Sequence, residues 1–101
     1  MVRLKISQIK SGMENIEVEG EIISITSPRQ VYTKYGPAKV ATAILRDETG
    51  SIRLVLWRGQ IDRVRRGDYI RITDAYTREF RGNLELYISR SGKIIVIRRY
   101  R

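Results

Sequence analysis

Asp47-Glu48-Thr49-Gly50-Ser51-Ile52-Arg53-Leu54-Val55-Leu56-Trp57 decides the architecture of this chain. Side chains of a strand alternate between two faces, so Ile52, Leu54 and Leu56 share one side while Arg53, Val55 and Trp57 share the other. Asp47 to Gly50 has the polar residues and closing glycine of a hairpin turn, so the strand at 51–57 needs a partner just upstream. Residues 40–46 supply it. Further upstream, residues 16–22 alternate apolar with polar and read as a first strand, and Gly20 inside them predicts a bulge. Residues 27–37 are rich in Pro, Gly and polar groups and read as a loop or flexible hairpin tip.

Downstream, Ile61 and Val64 lie three apart within 60–66, enough for one or two helical turns. Gly67-Asp68 ends that piece, residues 69–73 alternate as a fourth strand, and Arg81-Gly82-Asn83 marks a turn. Residues 84–88 form a fifth strand with Leu84, Leu86 and Ile88 aligned. After Ser91-Gly92, residues 93–98 are a last extended piece with an apolar middle. The expected fold is all-β: a five-stranded Greek-key barrel with a short helical insert between strands 3 and 4. That insert favours the OB-fold over an SH3-like barrel or a small sandwich. One domain over residues 1–101 fits the length.

Lys and Arg total 20 against 11 acidic residues, a net charge of +9 that attracts polyanions at long range. The sequence holds neither cysteine nor histidine. That excludes disulfides, zinc sites of the usual Cys/His type and Ser–His or Cys–His nucleophilic machinery. No enzymatic activity, cofactor or metal is expected. Glu17, Glu19 and Glu21 could together hold a hard cation, but a solvated strand face is the expected reading, with no further oxygen ligands nearby. No apolar run approaches the roughly 20 residues that cross a bilayer, and no signal segment opens the sequence. A soluble, cytoplasmic and nucleoid-associated protein is the expectation.

With these features in place, residues 47–57 resemble the centre of the archaeal single-stranded DNA-binding proteins built on one OB-fold. They are similar also to eukaryotic relatives in the sensor-of-single-stranded-DNA complexes. Ile6-Ser7-Gln8-Ile9-Lys10-Ser11-Gly12-Met13 resembles the family's N-terminal lead-in, with Ser11 where proline is usual. Val64-Arg65-Arg66-Gly67-Asp68 resembles its turn before the fourth strand, and residues 75–87 its fourth-to-fifth-strand region. The resemblance runs from Ile6 to Lys93. It implies single-stranded DNA binding without strong sequence preference in replication and repair, with bases stacked at the Trp57, Tyr76, Phe80 and Tyr87 positions. Family members continue into a Gly-rich or acidic tail that recruits proteins. This sequence ends at Arg98-Arg99-Tyr100-Arg101, so recruitment by such a tail is not expected of it.

The residues support the stacking set unequally. Trp57 and Tyr87 lie opposite the core faces of their strands. Phe80 sits among charges beside a turn glycine. Strict alternation from Ile70 and Ile72 puts Tyr76 on the core side, as a barrel-end cap, unless Asp74-Ala75 holds a bulge or ends the strand. The expected phosphate contacts are Arg29 and Lys34, interleaved with Tyr32 and Tyr35, together with Arg53, Arg81 and Arg90. Arg58, Arg63, Arg65 and Arg66 read as solvated surface, and residues 98–101 as either extra phosphate contacts or a frayed terminus. Two other readings stand beside single-stranded DNA. One is single-stranded RNA on the same face. The other is a structural OB subunit whose aromatic face docks a protein of a replication or repair complex.

Overall fold

The computed structural model describes residues 2–99. Seven strands run in chain order: β1 (Val2–Arg3), β2 (Ile16–Ile25), β3 (Arg29–Thr33), β4 (Gly36–Asp47), β5 (Gly50–Trp57), β6 (Tyr69–Phe80) and β7 (Asn83–Arg98). They form one sheet in the order β1-β2-β6-β7-β5-β4-β3, and a further pairing of β2 with β4 closes it. The closed ring is therefore β2, β6, β7, β5 and β4, the five-stranded barrel expected from the sequence. β5 and β7 pair in parallel, whereas the other ring contacts are antiparallel.

Alternation fills the barrel as anticipated. Ile52, Leu54 and Leu56 join Ile16, Val18, Ile22, Leu45, Ile70, Ile72 and Leu86 in one buried cluster. Ile6 and Ile9, on and just after a 3-10 turn at Ile6–Gln8, belong to the same cluster. Asp47 ties this turn to the β4–β5 hairpin by accepting the Ile6 N–H at 2.8 Å and the Thr49 N–H at 2.7 Å. Burial alone would raise the Asp47 pKa, but hydrogen bonds from Thr49, Ile6 and Gly50 hold it below the ordinary carboxylate value.

Four local expectations need correction. The helical insert is only a 3-10 turn, Arg58–Arg63, ending earlier than the apolar spacing suggested. For residues 27–37 the loop reading gives way to the hairpin one, because β3 pairs with the start of β4 from Arg29↔Val40 to Thr33↔Gly36. The fourth strand runs on to Phe80, and the fifth strand and the last extended piece are one strand, β7. Gly92 hides this continuity in the sequence. A Cβ there would lie 2.5 Å from the Thr73 carbonyl oxygen, so only glycine lets the two backbones approach this closely.

The fourth correction concerns Gly20, which is not itself the bulge. Register shifts flank it, between Ile16 and Val18 against β6 and between Ile22 and Ser24 against β4. A Cβ at Gly20 would stand 2.7 Å from the Arg46 carbonyl oxygen. Glycine is needed because β2 changes partners there and β4 presses against it.

Glu17, Glu19 and Glu21 form the face expected of them, and arginines neutralise it. Arg3 pairs with Glu17 at 2.7 Å, Arg71 with Glu19 at 2.6 Å and Arg46 with Glu21 at 3.2 Å. Among the described residues no group of acidic side chains is placed to hold a metal ion. No helix among them is long and apolar enough to cross a membrane.

Candidate nucleic-acid interface

Opposed residues in a sheet share a face, so the register of β5, β7 and β6 sets their outward side chains in rows. Arg53, Glu85 and Arg78 make one row; Val55, Tyr87 and Tyr76 make the next. β4 extends both, with Ile44 beside Arg53 and Thr42 beside Val55. A third row starts at Trp57, continues to Val40 of β4 and reaches Arg29 of β3. At the opposite end, Phe80 faces Asn83 across the tip of the β6–β7 hairpin. Rows lie two residues apart, roughly 6.7 Å, so the diagonal from Phe80 to Trp57 runs about 20 Å along the strands.

Tyr76 belongs to this face because β6 carries a bulge. The β6–β7 register shifts between Thr73 and Ala75, and Asp74 adopts a φ of 51°. The extra residue reverses the alternation: Ala75 turns into the core, fully buried, and Tyr76 turns outward. The barrel-end cap is thereby ruled out. The rings of Tyr76 and Tyr87 stack with centroids 5.4 Å apart and planes 13° from parallel. The Arg78 guanidinium lies 5.4 Å from the Tyr76 ring centre, a cation–π distance.

Trp57 is half-buried at the end of β5, where its backbone N–H donates to Gln60 Oε1 at 3.0 Å. Its neighbours Val55 and Val40 are 5% and 4% exposed, yet they stand outside the core cluster. They form an apolar floor on the outward side. The Tyr87 hydroxyl donates to Glu85 Oε1 at 2.8 Å. Burial, reinforced by that bond, pushes the Tyr87 phenol up to about 12. Phe80 is 54% exposed, with the Arg81 guanidinium 5.2 Å from its ring centre.

The basic residues divide. Arg29 and Arg53 lie within the rows, Arg81 caps Phe80, and Arg90 lines a shallow hollow of about 660 Å³ beside Tyr76 and Arg78. Lys34 sits apart at the tip of the β3–β4 hairpin, 5.2 Å from the Tyr35 ring centre. Alternation turns Tyr32 to the opposite side of that hairpin from Arg29. Arg63 and Arg66 donate to the backbone carbonyls of Ile94 and Ile23. The terminal cluster is anchored through Arg98, stacked over Tyr69, and Arg99, 3.7 Å from Asp68; Tyr100 and Arg101 lie outside the described residues.

Sequence reasoning passed over Arg78 and Glu85. Both follow from alternation once the bulge at Asp74 and the β6–β7 register are known. Without the bulge, Arg78 falls on the wrong face. Glu85 is 8% exposed, and its burial depends on the rows to either side, which residues 83–88 alone do not reveal.

Residues 16–96 match the sequence pattern of the family described as OB-fold nucleic acid binding domain. The chain is 31% identical over 90 residues to the single-stranded DNA binding protein Ssb of Saccharolobus solfataricus, covering 89% of this chain and 61% of that protein. It is 35% identical over 96 residues to replication factor A of Methanothermobacter thermautotrophicus, covering 91% of this chain and 12% of that protein. It thus spans less than two thirds of either relative. Among solved structures, the replication factor A related protein from Methanobacterium thermoautotrophicum superposes with a TM-score of 0.80 at 33% identity, over 95% of this chain and 91% of that one. On its sequence pattern and its barrel alike, this chain belongs to the OB-fold nucleic acid binding domain family.

Proposed function

We propose that the chain binds single-stranded DNA without strong sequence preference, as a non-catalytic factor in replication or repair. The observation that carries this reading is the stacked Tyr76–Tyr87 pair, set between Trp57 and Phe80 on a face whose reverse side is the core. Every base offers a flat π surface, so rings presented outward accept any sequence. Among the described residues no carboxylate forms an ion pair with Arg29, Arg53, Arg78, Arg81 or Arg90, which leaves these cations for phosphates. Two relatives carry the names single-stranded DNA binding protein and replication factor A, in keeping with this reading. Lys34, at the hairpin tip, adds a backbone contact only if the hairpin folds over the strand.

Competition among matched single-stranded DNA, single-stranded RNA and duplex DNA at two salt concentrations tests the proposal. Single strands should quench the lone tryptophan and bind more weakly as salt rises. Preference for the duplex, or unchanged tryptophan emission, would remove it. A preference for RNA would move the ligand while keeping the site.

One observation favours a second reading, a protein-docking subunit. Ile95 and Ile97 are 41% and 47% exposed on β7, beyond the segment that pairs with β5. Light scattering of the wild type and of Ile95→Arg tests it with a second copy of this chain as the docked protein: self-association that the substitution abolishes would support it, and a monomeric wild type would exclude that partner.

A further inference from the structure

Glu85 is an anomaly for a groove that takes a polyanion. It is a carboxylate, 8% exposed, at the centre of the face proposed to hold DNA, flanked in register by Arg53 and Arg78. Neither arginine pairs with it. Its Oε1 accepts the Tyr87 hydroxyl. Its Oε2 has no partner among the described groups, yet no enclosed side-chain oxygen or nitrogen lacks a hydrogen bond. Oε2 is therefore the oxygen left open to the surface.

An acceptor with this geometry repels phosphate and attracts a hydrogen-bond donor. The Tyr87 phenol touches Glu85, so a base lying over the outer end of that ring brings its polar edge beside Oε2. The donor that a base edge offers there is an exocyclic amino group. Cytosine N4 supplies one, a recognised partner of glutamate, whereas thymine presents a carbonyl oxygen at the same place.

Resting on the single-stranded DNA reading above, we propose that Glu85 reads one base. Its free carboxylate oxygen accepts a hydrogen bond from the amino group of a base stacked on Tyr87, so that one position in the bound strand favours cytosine over thymine. Arg53 and Arg78, on either side, take the phosphates that Glu85 repels. The strand then crosses this row with a base, not its backbone, at the centre.

The test is tryptophan quenching with oligothymidylates of the shortest length that binds, each carrying one cytidine at a successive position. At one position the wild type should bind about 2–10-fold more tightly than to thymidine alone, the range of one net hydrogen bond. Glu85→Gln keeps the shape and an acceptor for Tyr87. Its amide can face either base, so the cytidine advantage should fall to about one while thymidine binding strengthens. Tyr87→Phe removes the internal hydrogen bond without removing the carboxylate, and the advantage should persist. A carboxylate that merely orients Tyr87 would predict the reverse pattern in the last two variants. Wild-type binding that ignores cytidine at every position, or an advantage that survives Glu85→Gln, would overturn this inference alone. Failure to bind any single strand would instead remove the proposed function, and this inference with it.

Discussion

Two faces of the barrel treat arginine differently: one matches it with carboxylates, and the other leaves it without an ion pair among the described residues. On the β2 side, Arg3, Arg46 and Arg71 lie against Glu17, Glu19 and Glu21, so charge is matched by charge. On the β5–β7–β6 side, Arg78 lies over the Tyr76 ring, Arg53 lies one strand across, and the one carboxylate between them is bonded to a tyrosine. Net charge alone does not distinguish these surfaces. What separates them is where the acids sit, and β2 gathers three of them behind the barrel. The acids on β2 thereby make that side a poorer surface for a polyanion than the aromatic rows.

The sharpest way to break the contrast is to strike both sides of one strand. Leu54 is fully buried on β5, and Leu54→Ala should cost about 2–5 kcal/mol of stability, read as a fall in Tm of at least about 8 °C. Trp57→Ala, three residues further on the outward side, should leave Tm within a few degrees but weaken single-strand binding by about 1–3 kcal/mol in a titration. Equal effects of the two on stability would mean that the tryptophan serves the core.

A subtler comparison sets the two arginine faces against each other. Arg53→Ala or Arg78→Ala should lower the slope of log affinity against log salt by about one, as expected for a lost phosphate contact. Arg71→Ala should leave that slope unchanged, since its guanidinium already serves Glu19. A slope change on the acidic side would blur the distinction. The smallest effect concerns Tyr87. Its phenol is held near 12, above its ordinary value of 10.0, so its contribution to stability is complete below pH 10 and is lost as pH rises through 12. Ultraviolet titration of tyrosinate should find one late-titrating tyrosine, and Glu85→Gln should bring it down.

The barrel was legible where alternation is strict and local. Residues 51–57 carry their inward and outward sets on the surface of the sequence, and the core at Ile52, Leu54 and Leu56 follows. Legibility failed wherever a single residue shifts the phase. Asp74 reverses the faces of β6, and Gly92 conceals that β7 is one strand. Tyr76 was consequently recoverable only through a resemblance, and Arg78 not at all. Glu85 needed a third kind of information, the lateral register of β7 against both neighbours, which no stretch of residues encodes by itself.

The parallel pairing of β5 with β7 also makes the site depend on residues far apart in the chain. Arg53 meets Glu85, and Val55 meets Tyr87, across the intervening turn and the whole length of β6. Such contacts between distant residues are late and slow events in folding, whereas the hairpins β3–β4 and β4–β5 can form locally. The platform therefore rests on a long-range pairing that helps close the barrel. A ligand that recognises the rows binds only the finished molecule and draws the folding equilibrium toward it.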